Sequence, residues 1–208
     1  MHPTLSKTQG WFDILNMETE EFDAINGFSI GLTPSAFLNR WAGYQGKVSY
    51  AYKNLELEIN AGYLAGVDND EKYSGYRFRP LLKYYILKSR GGITYFGVGW
   101  LLRKLNIEAS GSFSSPNTMA VQELEFDIDQ TMSGAYLSFG NLYEIEQDKF
   151  YFDLGIGLGT SRVNTNHQGI PDDAELIYEP EAFEEDTRSR GVTQYPIVFG
   201  HCAFIMRI

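Results

Sequence analysis

The sequence predicts an all-β chain, folded as a closed up-and-down antiparallel transmembrane β-barrel of about eight strands. Three observations carry that expectation. Apolar side chains recur at every second position over most of the chain. The connections between these stretches are alternately short and long, as in strands that run up and down through a bilayer. No uncharged run reaches the roughly 18 to 20 residues that a spanning helix needs. The longest, 91–102, 130–143 and 191–206, are all interrupted by Gly or Pro.

Eight strands are expected in order, at 27–37, 43–53, 55–66, 73–88, 92–110, 120–143, 149–164 and 191–208. The first sets Phe28, Ile30 and Leu32 against Ser29, Gly31 and Thr33. The second sets Tyr44, Val48, Tyr50 and Tyr52 against Gln45, Lys47 and Ser49. In the third, Leu55, Leu57, Ile59, Ala61 and Tyr63 alternate with Glu56, Glu58, Asn60 and Gly62. In the fourth, Tyr76, Phe78, Pro80, Leu82, Tyr84 and Ile86 alternate with Arg77, Arg79, Leu81, Lys83 and Tyr85. The fifth opposes Phe96, Val98, Trp100 and Leu102 to Tyr95, Gly97, Gly99 and Arg103. The sixth is less regular, with Leu137 and Phe139 against Tyr136 and Ser138. The seventh opposes Phe150, Phe152, Leu154, Ile156 and Leu158 to Tyr151, Asp153, Gly155, Gly157 and Gly159. The eighth closes the ring.

Short turns are expected at Lys53-Asn54, Ser89-Arg90-Gly91 and Gln147-Asp148-Lys149, with longer connections elsewhere and the longest at about 165–190. An even strand count puts both termini on the short-turn side, periplasmic in this reading. Residues 1–26 form a separate periplasmic tail or short helix, with Trp11, Phe12, Ile14 and Leu15 ahead of Glu18, Glu20 and Glu21; residues 27–208 form the barrel. Met1–Gly10 has no apolar core of a secretion signal, so the reading requires a signal removed ahead of this numbering.

Composition agrees. There are 21 Gly, 14 Tyr, 14 Phe and 3 Trp among 208 residues. Tyr44, Tyr52, Tyr63, Tyr84, Trp100 and Phe150 fall where aromatic girdles would meet the membrane interfaces. The mean hydropathy of −0.27 is compatible with a membrane because only alternate residues face lipid. A net charge of −10 argues against nucleic acid as a partner. The single Cys202 excludes an internal disulfide, and it reads as a packing residue on the lipid face. A soluble lipocalin-like barrel is the structural alternative, with every face reversed.

The closing strand runs from Tyr195 to the apolar Ile208, with Phe204 and Met206 on the same face. Over residues 27–208 the chain resembles small outer-membrane barrels of the outer-membrane protein A, W and X type. It is similar in particular to small barrels of unknown function common in Bacteroidota. It departs from their usual closing signal in having Ala203 where Gly is common and Ile208 where an aromatic is common. The resemblance implies the outer membrane of a Gram-negative bacterium and no particular activity.

The candidate constellation lies on the inward faces of strands three and four. Glu56 and Glu58 are expected near Arg77, Arg79 and Lys83, with Lys47, Arg103 and Asp153 joining them. Two readings are open: a salt-bridge network that plugs the lumen, or a gated polar path or small-ligand site. The inward glycines either make room for long side chains or leave a cavity. The loop residues Asp172, Asp173, Glu175, Glu179, Glu181, Glu184, Glu185 and Asp186 read as a solvated acidic surface, match no calcium-loop spacing, and leave a docking role open. His2, His167 and His201 fall in no motif with a Ser and an acid, so no catalytic, cofactor-binding or metal residue is assigned. The expected function is a non-enzymatic structural or accessory subunit of an envelope assembly. It would contact outer-membrane lipid, and a protein partner through the loop 165–190 or the tail 1–26. The alternatives are a narrow transport or small-ligand-binding barrel and, further off, a lipid-A-modifying enzyme.

Overall fold

The computed structural model describes residues 26–34, 36, 41–68, 71–89, 92–114, 121–146, 149–169, 175–176 and 191–208. The expected tail at 1–26 falls outside these except for Asn26, as does most of the acidic loop.

The strands are β1 (Gly27–Leu32), β2 (Gly43–Tyr52), β3 (Leu55–Asp68), β4 (Glu71–Ser89), β5 (Gly92–Ser114), β6 (Val121–Glu146), β7 (Phe150–Gln168), the two-residue β8 (Glu175–Leu176) and β9 (Gly191–Arg207). Each of β1 to β7 pairs antiparallel with the next, β7 pairs with β9, and β9 returns to β1. Eight strands thus close an up-and-down ring, as the alternation predicts. Only β8 stands outside it, paired with the far end of β5.

The register fixes the width of the ring. Lateral partners run from Phe204 through Leu32, Gly46, Ala61, Phe78, Leu102, Ser133 and Arg162 to Gln194. One circuit therefore returns to β9 ten residues from where it started, at 194 instead of 204. A stagger of that size in eight strands implies a tilt of about 40° and a lumen that side chains fill.

Short connections mark one rim. β2 and β3 meet at Lys53-Asn54, where Lys53 takes a positive φ of 56° and its N–H donates to the Asn26 side chain. The same rim holds the chain end: Ile208 N–H donates to Phe28 O at 3.0 Å, and Arg207 N–H to Lys149 O at 2.8 Å. Bulges at Ile86 and Ile145 lie close to this rim, where barrel strands commonly bend.

Four expectations are corrected. β1 ends at Leu32, not at 37, because Pro34 has no N–H for a ladder and Ala36 N–H turns back to Thr33 O at 3.1 Å. The β3–β4 connection is two residues long, not extended, because both strands run on to Asp68 and Glu71. β5, β6 and β7 also overrun their expected ends and reach 23, 26 and 19 residues. The 165–190 segment is not all loop, because β7 continues to Gln168 and β8 pairs within it.

The overrun reverses the polarity of the wall. Along β5, Phe96, Val98, Trp100 and Leu102 are exposed on the outer face while Tyr95, Gly97, Gly99 and Arg103 point inward and are buried. Beyond them the outer face turns to Lys104, Asn106 and Glu108, and the inner face to Leu105, Ile107 and Ala109. β7 changes from outer Leu154, Ile156 and Leu158 to outer Arg162, Asn164 and Asn166. The inner residues of this far section form an apolar core with Trp41, Leu64, Tyr73, Phe126 and Ile128. Between the bulges and the far end the pleat does not slip; the sequence pattern inverts on it. Near the short-turn rim the ring is apolar outside and mixed inside, where Tyr85, Ile93, Leu142, Tyr151 and Ile205 pack beside the charged residues, and toward the other end the wall is polar outside and mainly apolar inside.

Ile107 is fully buried in that far core. Ile107→Ala is expected to cost about 2–5 kcal/mol in reversible urea unfolding. A loss below about 0.5 kcal/mol, the level of a surface change, would show that the far core does not hold the extension together.

Candidate functional site

In the half of the ring nearer the short-turn rim, the inward face carries a charged cluster drawn from six strands. Lys47 on β2 donates to Glu58 Oε2 at 2.7 Å and to Asp153 Oδ2 at 3.0 Å. Lys83 on β4 sits 2.6 Å from Glu58 Oε2 and 2.6 Å from Asp153 Oδ2, with Glu56 Oε1 at 3.8 Å. Tyr95 on β5 donates its hydroxyl to Asp153 Oδ1 at 2.8 Å, and Lys83 Nζ lies over its ring at 4.4 Å. His201 on β9 places Nε2 2.8 Å from the Tyr95 oxygen and 3.7 Å from Asp153 Oδ1. Asn60 donates to Glu58, and Tyr85 to Glu56. Asp153 is the hub, with no solvent exposure at all.

Two ammonium groups thus face three carboxylates across a lumen without bulk water. Each charge has an opposite charge within hydrogen-bond reach or close to it, the condition under which buried ions are tolerated. The cavity beside the cluster has a volume of about 10 Å³, bounded by Lys47, Glu58, Asn60, Arg79, Tyr136 and His201 among others. That is room for about one water molecule and not for a continuous path. Glycine makes the packing possible: a Cβ on Gly155 would stand 2.6 Å from His201 Cε1 and 2.8 Å from the Tyr95 hydroxyl.

The expected constellation is only partly assembled. Glu56, Glu58, Lys83, Lys47 and Asp153 meet. Arg77, Arg79 and Arg103 do not join that cluster directly. The register explains it: Glu56 lies opposite Lys83, whereas Arg79 lies opposite Asn60 and Arg77 opposite Gly62. The arginines form a separate layer toward the far end. Arg79 stacks on Phe199 at 5.1 Å, and with the Gln45 amide turned to satisfy both groups its oxygen accepts from Arg79 at 3.0 and 3.2 Å. Arg103 donates to Gln130 at 2.7 Å, and Arg77 to Trp41 O at 3.4 Å. The inward glycines mostly make room: besides Gly155, Gly99 accommodates Tyr136 and Gly157 accommodates Phe199.

Tyr95 and His201 are the members that sequence reasoning left unplaced. Alternation alone does not pair them, because their meeting joins residues 106 positions apart across the lumen. His167 sits on β7, not in the loop, and is buried beside Phe126 at 5.4 Å. His2 lies outside the described residues, as do Asn69 and Asp70 and nearly all of the acidic loop. Among the described residues no three His, Cys, Asp or Glu side chains converge as a metal site would require.

Comparison with known protein families, with curated proteins and with solved structures finds no match for this chain.

Replacing Asp153 by Ala removes the shared partner of both lysines. The expected cost is about 3–5 kcal/mol, the penalty for stranding buried charge. It is read from the urea midpoint of folded protein. A change below about 1 kcal/mol would mean that water already solvates the cluster.

Proposed function

We propose that the chain is a β-barrel of a Gram-negative outer membrane, with both termini periplasmic. It acts there as a non-enzymatic structural or accessory subunit of an envelope assembly. One observation carries the membrane part: the ring wears a continuous belt of exposed large apolar side chains that stops where the wall turns polar. Tyr44 is 77% exposed, Leu137 52%, Ile156 54% and Phe204 54%. Soluble monomers do not display apolar surface on that scale. The belt on β7, Phe150 to Leu158, rises roughly 20–25 Å along a tilted strand, close to the height of an outer-membrane apolar band. Tyr44, Tyr52, Tyr63 and Tyr76 are exposed on the same surface, as girdle residues would be.

The plug supports a non-conducting barrel. Lys47, Lys83, Glu58 and Asp153 close the lumen, and their pairing leaves no water-filled path. It also disfavours lipid-A modification, since Tyr95 and His201 are locked into the same network away from the outer surface. A partner is then reached by parts that leave the bilayer: the extension of β4 to β7, the 165–190 segment held against β5 through β8, or the tail 1–26.

Leu137→Arg places a charge near the middle of the belt and is expected to cost about 2–4 kcal/mol on folding into lipid vesicles, whereas Thr131→Arg, beyond the belt, is expected to be near neutral. Equal costs, or a chain that stays monodisperse without detergent and shows no heat-dependent gel mobility shift, would overturn the membrane reading. In planar bilayers the folded protein is expected to give no conductance steps. Reproducible steps that change on Glu58→Gln would overturn the plug.

A further inference from the structure

We infer that the arginine layer is a binding site for the anionic head of a single-chain amphiphile, which reaches it sideways past β9. Arg77 and Arg103 are lateral partners on β4 and β5, and Arg79 is the next inward residue on β4. All three line one cavity of about 250 Å³, together with Trp41, Leu101, Met132, Pro196, Ile197, Val198 and Phe199. Among the described residues the lining holds three guanidinium groups and apolar and aromatic walls, without a carboxylate.

The cavity is not confined to the lumen. Ile197 points inward and is 5% exposed, but Val198, also on its lining, is 75% exposed on the outer face. A cavity touching both faces of β9 passes beside that strand. The ladder shows where. β1 pairs with β9 only over Ser29–Leu32, opposite Phe204–Arg207, while β9 continues to Gly191. Among the described residues no strand pairs with that remaining edge of β9. Pro196, which has no N–H to offer, suits an edge position. On the other side of β9, Val198 lies opposite Leu158 and Gln194 opposite Arg162. The opening therefore sits where the apolar belt gives way to polar wall, the level of lipid head groups.

Size and chemistry select the ligand. The volume of about 250 Å³ is many times the roughly 10–15 Å³ that admits a single water. That suits an anionic head and a few methylenes, with the rest of the chain lying outside against Pro196 and Val198. Guanidinium groups pair with carboxylate or phosphate in a forked geometry, and the apolar walls favour a chain over a small ion. The exit of the chain into lipid rests on the membrane reading; the head site does not.

The test titrates the full chain in phosphatidylcholine nanodiscs with dodecanoate, dodecyl phosphate, dodecanol and inorganic phosphate, reading bound copies by native mass spectrometry. The expected result is saturable binding of one dodecanoate or dodecyl phosphate, dodecanol weaker by at least about tenfold, and no displacement by inorganic phosphate at equal concentration. Arg103→Gln should weaken dodecanoate by about tenfold and leave dodecanol unchanged. Val198→Trp, at the exposed rim and away from the arginines, should weaken both chain-bearing anions without affecting the fold. Equal binding of dodecanol, displacement by inorganic phosphate, or no saturable binding overturns the site. A chain that does not enter the discs overturns the membrane reading instead, and the same titration in buffer then decides the head site.

Discussion

Everything inside the ring depends on Asp153. Its two oxygens take Lys47, Lys83 and Tyr95, and these contacts tie β2, β4, β5 and β7 together across the lumen. The stagger of ten residues makes a lumen too wide for the backbone to fill alone, and at the level of Asp153 almost no space is left for solvent. Long polar side chains solve that problem, provided each charge meets its opposite. Glu58 completes the set by holding both lysines from the wall between them. The charges hold the lumen shut because a missing partner would leave an ion without water.

The same strands obey a different rule a few residues on. Leu105, Ile107, Phe126 and Ile128 fill the far section as an ordinary apolar core, and the outer wall there is Lys104, Asn106, Glu108, Asp127 and Asp129. Hydrophobic burial drives packing only where water is the outside solvent. In lipid, apolar side chains gain nothing by turning inward, so they can stay outside and leave the lumen to polar pairs. A single pleat carrying both patterns, with the switch at about the same level from β4 to β7, is what a wall crossing from one solvent into another would need. A wholly soluble barrel explains the far section but leaves the belt exposed.

The local pattern was legible because period two is a property of consecutive residues. Face assignments on β2 to β5 and β7 hold throughout the belt, including inward Glu58, Arg79, Lys83 and Asp153. Strand ends were read short because the reading followed outer apolar residues, and Ile107 or Phe126 belong to the inner face of a section with opposite polarity. Partnerships across the lumen were not legible. Whether Glu58 meets Lys83 or Arg79 depends on register and on strands that are not neighbours in the chain. Tyr95 and His201 approach only after all eight strands have closed. The short β1 was signalled by Pro34, but its consequence, an edge of β9 left over, appears only in the closed ring.

Closure and opening therefore belong to different levels of one barrel. At the level of Asp153 the ring is complete and its interior is filled. One layer further, the interior carries Arg77, Arg79 and Arg103, and the ring has lost a strand from one side of β9. A wall that seals the axial path and interrupts the lateral one would, in the proposed membrane setting, direct a small molecule toward the bilayer plane. The arginines meet other partners than Glu56 and Glu58: Arg79 is held by Gln45, Arg103 by Gln130 and Arg77 by Trp41 O, contacts that place the three guanidinium groups in the layer that faces the gap. The register that sets Arg79 opposite Asn60 instead of a glutamate is what separates the arginine layer from the plug.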